Sequence, residues 1–94
     1  GGPAGWARYL EGKLYWPEGF EFANGNMAET IIEFELDETG AVTHAEVAVP
    51  FHSAFDKIAL QVVKQSKGWK PARYFNRRIA YRMRQSITFR MDDE

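Results

Sequence analysis

Thr30-Ile31-Ile32-Glu33-Phe34-Glu35-Leu36-Asp37, then Glu38-Thr39-Gly40, then Ala45-Glu46-Val47-Ala48-Val49, carries a period of two that stops at a turn and resumes. Thr30, Ile32, Phe34 and Leu36 fall on one face, with Glu33, Glu35 and Asp37 on the other. A sheet with one dry and one wet face needs this alternation. Glu38-Thr39-Gly40 reads as a hairpin turn of about three residues, with Gly40 supplying a positive φ that side chains resist. Ala45, Val47 and Val49 alternate with His44, Glu46 and Ala48, and Pro50 closes the second strand. Val42 is out of step, which predicts a bulge or a strand starting after it.

Working outward, Ser53 opens the clearest helix. Ser53 and Asp56 stand at capping-box spacing, and Phe55, Ile58, Ala59, Val62 and Val63 form one apolar stripe. Lys64 and Lys67 suit the negative helix end, Gly68 suits the position just past it, and Trp69-Lys70-Pro71 leaves the helix. Asn76 suits a left-handed turn. In the long last strand Ile79, Tyr81, Met83, Ile87, Phe89 and Met91 share a face in which only Gln85 is polar. Arg82, Arg84, Ser86, Thr88 and Arg90 share the other. Toward the N-terminus, Trp6, Tyr9, Leu10 and Leu14 have helical spacing weakened by Gly12, Pro17 bars continuation, and residues 18–26 read as a loop. The order α-β-β-α-β predicts an α+β fold, a three-stranded antiparallel sheet with two helices on one face.

Ninety-four residues make one domain, 1–94, with room for a modest core. Phe34, Leu36, Val47, Ile58, Val62, Trp69, Ile87 and Phe89 are expected inside it. The absence of cysteine excludes disulfides, thiolate metal sites and a Cys nucleophile. No apolar run approaches the roughly 20 residues of a membrane span. Gly1-Gly2-Pro3 reads as the cut end of a longer protein, so residues 1–5 are expected to be disordered or foreign to the domain, with any membrane anchor outside this chain.

The net charge of −1 hides an asymmetry. Residues 1–47 carry two basic and nine acidic side chains, and residues 48–94 carry ten basic and four acidic. A crossover from the second strand can lay the last strand beside the first, antiparallel to it. Glu33 and Glu35 then face Arg82, Arg84 and Arg90, which explains the basic half mainly as the complement of the acidic half. It also leaves the second and last strands at the sheet edges.

Signals for chemistry are weak. His44 and His52 lack metal-ligand spacing, so no metal or cofactor is expected. His52, Ser53 and Asp56 have triad residue types but crowd into one helix start, where capping explains the serine and the aspartate. With no acid–base pair or nucleophile, an enzyme is not expected. The run Arg73-Tyr74-Phe75-Asn76-Arg77-Arg78-Ile79-Ala80-Tyr81-Arg82-Met83-Arg84 mixes bases and rings as polyanion binders do. Tyr81, however, alternates onto the apolar face, where it cannot stack on a base, and the arginines are partly neutralised by neighbouring glutamates. Nucleic-acid binding is therefore expected to be at most weak and salt-sensitive.

Tyr15-Trp16-Pro17, Phe34-Glu35-Leu36-Asp37 with Gly40, Asp56 with Ala59-Leu60, Trp69-Lys70-Pro71-Ala72 and Ile87-Thr88-Phe89 occur in the order and spacing of a known pattern. From Trp6 to Met91 the chain resembles the TonB C-terminal domain family. It departs from the pattern at Ala28 and Asn76, where glycine is usual, and at Ser86, where many relatives have proline. The resemblance implies a periplasmic domain that grips outer-membrane TonB-dependent transporters and passes on energy from the inner-membrane proton gradient. The transporter's TonB box would add as a strand at the stretch Arg82, Met83, Arg84, Gln85, Ser86, Ile87 and Thr88. A homodimer through the same edge, a sensory or structural module of the same fold, and a polyanion-binding module are the alternatives.

Overall fold

The computed structural model of the chain describes residues 2–20 and 27–91. It contains α1 (Gly2–Lys13), β1 (Met27–Leu36), β2 (Val42–Val49), α2 (Ser53–Lys64), β3 (Ala72–Tyr74), β4 (Arg77–Ile79) and β5 (Tyr81–Arg90). β2, β1 and β5 form an antiparallel sheet with β1 in the centre, and β3 pairs with β4 alone. The expected α+β fold and strand order are therefore present, with one addition: the β3–β4 hairpin.

The period of two in β1 becomes a period of two in burial. Ala28, Thr30, Ile32, Phe34 and Leu36 are buried, while Met27 and Glu29 are exposed. Above this face lies the apolar stripe of α2, from Phe55 to Val63. Phe55 is its hub, with ring centroids 5.1–5.2 Å from Trp16, Phe20, Phe51 and Phe89. The α1 helix joins the same side through Trp6, which meets Trp69 at 4.9 Å, and through Tyr9, whose hydroxyl donates to Val62 O at 2.7 Å. Burial there pushes the Tyr9 hydroxyl pKa up.

Several expectations need correction. Val47 and Trp69 are only half-buried, the first on an edge strand and the second beside a groove, while the other six expected core residues are buried. Ile79 belongs to β4, beyond the main sheet, and is 37% exposed. The cap of α2 is His52, not Ser53: His52 Nδ1 accepts from Ala54 N at 3.1 Å. Asp56 instead bonds Phe51 N–H at 2.9 Å and the hydroxyl of fully buried Thr30 at 2.8 Å, tying helix start to sheet. Gln65 ends the helix, and Gly68 takes φ +80° in the loop beyond. α1 begins at Gly2 and runs to Lys13. The loop expected over 18–26 is described only to Phe20, where Gly19 turns at φ +88° and Trp16 Nε1 donates to Phe20 O at 2.9 Å.

Val42 does belong to its strand. It pairs with Leu36, and the irregularity lies between the pairs Glu33↔Glu46 and Glu35↔Thr43, where His44 takes φ 48°. A second register shift separates Ile31↔Val49 from Ile32↔Val47 and turns Val49 to the outer face opposite Ile31. Gly40 takes φ +88°, and a Cβ there would lie 2.2 Å from Trp69 O. The turn is thus pressed under the Trp69-Lys70-Pro71 segment.

Candidate functional site

The hairpin turn fixes which way each amide of the sheet points. Asp37 N–H donates to Ala41 O at 2.9 Å, so Asp37 faces β2, and successive residues of an antiparallel strand face alternate neighbours. Odd-numbered residues of β1 therefore bond β2, and even-numbered ones bond β5. Both register shifts place their extra residue on β2, so β1 keeps this alternation against β5. In β5, Met83, Gln85 and Ile87 oppose Phe34, Ile32 and Thr30 and direct their N–H and C=O groups at β1. Arg82, Arg84, Ser86, Thr88 and Arg90 direct theirs at the open side, which no strand covers among the described residues.

The two edges of the sheet differ. β2 is bent by its two bulges, and Pro50 follows it. β5 pairs with β1 without a shift from Met27↔Arg90 to Leu36↔Tyr81 and contains no proline. Bulges and proline protect an edge from further pairing, so β5 is the unprotected one.

The side chains of this edge divide by face. On the outer face Arg84 pairs with Glu33 at 2.7 Å, and Arg82 pairs with Glu33 at 3.2 Å and Glu35 at 3.8 Å. Ser86 donates to Glu29. The sequence-based charge complement is therefore present for Arg82 and Arg84, whereas Arg90 lies against Met27 Sδ at 3.4 Å. On the inner face Ile87 and Phe89 are buried, but Tyr81, Met83 and Gln85 are only half-covered. These three line a groove of about 580 Å³ whose far wall is Trp6 and Tyr9 of α1 and the Ser66–Lys70 loop. Trp69 is held in that wall by Nε1 donating to Ser66 Oγ at 2.8 Å, while Ser66 Oγ donates to Val63 O at 2.6 Å. Periodicity found both faces of the edge. It missed the groove, whose walls come from opposite ends of the sequence and share no local pattern.

The features that carried the resemblance now have structural reasons. Gly40 has no space for a side chain under Trp69, Asp56 ties α2 to β1, and Ile87-Thr88-Phe89 anchors β5 in the core. The family model described as the Gram-negative bacterial TonB protein C-terminal matches residues 21–91. The chain belongs to this family. The match begins after α1 and after Tyr15-Trp16-Pro17, so the N-terminal part of the resemblance lies outside it. Comparison with curated proteins and with solved structures gives no match. Members of the TonB C-terminal family are periplasmic, non-enzymatic protein-interaction domains associated with energy transduction to outer-membrane transporters. No described helix is long and apolar enough to cross a membrane, and no described group of His, Asp and Glu could hold a metal ion.

Proposed function

We propose that this domain binds the TonB box of an outer-membrane transporter in the periplasm by strand addition along β5, spanning Arg82 to Thr88. The observation that carries this reading is the parity of β5. Five consecutive even-numbered residues offer unpaired backbone donors and acceptors along a proline-free edge without register shifts. A peptide adding there completes a ladder, and backbone bonds give most of the affinity. Its alternate side chains fall on the two faces of the extended sheet. Those on the inner face meet Tyr81, Met83 and the aromatic groove wall, so apolar residues are preferred at these positions. Those on the outer face meet Arg82 and Arg84, whose charges Glu33 already balances in part.

Binding of synthetic TonB-box peptides by the Arg84→Pro variant tests the reading. Proline removes an edge N–H without touching the bonds to β1, so affinity falls about tenfold or more while the fold persists. Arg84→Gln is the control for the lost ion pair and leaves binding within a few fold. A folded Arg84→Pro variant that binds like the parent would overturn strand addition here. Ser86→Pro is the milder case, because many relatives carry proline at that place.

A further inference from the structure

We infer that the β3–β4 hairpin is a membrane-contact element that docks on an anionic phospholipid surface, at a site separate from the β5 edge. Its two-residue turn, Phe75-Asn76, has positive φ at both positions, 51° and 65°. Such turns favour Asn and Gly, and a bulky ring in this conformation is strained. That ring is also 83% exposed, with Tyr74 beside it 63% exposed. The hairpin therefore carries backbone strain and exposed aromatic surface together, with no compensating burial inside the domain. Strain kept at an exposed site points to use there.

Charge selects the partner. No acidic residue occurs between Lys57 and Met91. Glu33 and Glu35 reach Arg82 and Arg84, but among the described residues no carboxylate pairs with Arg73, Arg77 or Arg78. Three unpaired arginines flank a tip made of Tyr74 and Phe75: Arg77 stands opposite Tyr74, and Arg73 stands opposite Arg78 one pair further from the turn. An aromatic tip with arginines on both strands behind it matches a bilayer interface, where rings enter the headgroup layer and arginines meet lipid phosphates. Nucleic acid fits less well. Tyr74 and Phe75 pack edge to face with centroids 4.5 Å apart, forming one knob instead of two open platforms for bases.

The test is co-sedimentation of the whole chain with phosphatidylcholine vesicles, with and without phosphatidylglycerol. Binding is expected only to vesicles containing phosphatidylglycerol and is expected to weaken with salt. Replacing Arg77 or Arg78 by Gln lowers partitioning about fivefold each. Phe75→Gly relieves the strained φ, so the hairpin keeps its shape while partitioning falls by a similar factor. Equal binding to both vesicle types, no binding to either, or binding that these variants leave within about twofold would overturn the proposal. Tighter binding to single-stranded DNA than to the vesicles would also overturn it and reassign the hairpin to nucleic acid. The same hairpin variants should bind TonB-box peptides like the parent, because β3 and β4 form a sheet apart from β5; loss of that binding would overturn the separation of the two sites.

Discussion

Gly40 and Gly68 both hold positive φ, yet they occupy different surroundings. Gly68 has open space where a Cβ would stand, so Gly68→Ala pays only the left-handed backbone penalty, about 1–2 kcal/mol. Gly40→Ala adds a clash with the backbone of Trp69 and should cost about 2–5 kcal/mol in total, enough to unfold a marginal domain. Thermal melts of the two variants measure the difference, and equal melting points would show that the turn yields freely. Asp37 in the same hairpin has its carboxyl held below the ordinary 3.8, first by the Thr39 hydroxyl and then by the N–H groups of Ala41 and Thr39. A lowered folded value stabilises the native state above pH 3.8, and that contribution is lost as pH falls through the lower value. Melts run from about pH 6 to about pH 2 should therefore lose a small acid-sensitive component in Asp37→Asn.

Among the elements, β1, β2 and α2 were legible because each has a long apolar period that burial then enforces. The charge asymmetry also gave the strand order, since glutamates of β1 stand opposite arginines of β5. These pairs set register more than stability. With Arg82 and Arg84 more than half exposed, a double-mutant cycle on Glu33 and Arg84 should give a coupling below about 1 kcal/mol, shrinking with salt. A larger, salt-independent coupling would mean the pair is shielded from water. The core of these elements carries the stability instead: Phe34→Ala or Phe89→Ala should each cost about 3–5 kcal/mol in a denaturant titration. The β3–β4 hairpin was not legible. Its strands have three residues each and little buried side, and its Phe-Asn turn lacks the usual Asn-Gly signature. The His52 cap escaped for a related reason, because Ser53 matched the common capping residues one position later.

At the scale of the molecule, the amides of β5 alternate residue by residue between two directions. The odd-numbered ones close the sheet, and the even-numbered ones point to the open edge, where the proposed partner strand would add. Sequence could assign the faces of the side chains, but the direction of the amides depends on the geometry of a turn on the neighbouring hairpin. Hydrogen exchange reads that parity directly. In the free domain the N–H groups of Met83, Gln85 and Ile87 should exchange slowly, because they open only with the sheet, while those of Arg84, Ser86 and Thr88 exchange close to the rate of an open chain. Addition of a saturating TonB-box peptide should slow the second set and leave the first nearly unchanged, with the amides of β2 unaffected. Residue-resolved exchange followed by nuclear magnetic resonance makes the comparison. Protection gained along β2 would move the binding edge to the other side of the sheet. Protection gained at neither edge by a bound peptide would mean that the groove at Trp6, Trp69 and Met83 holds it through side chains alone.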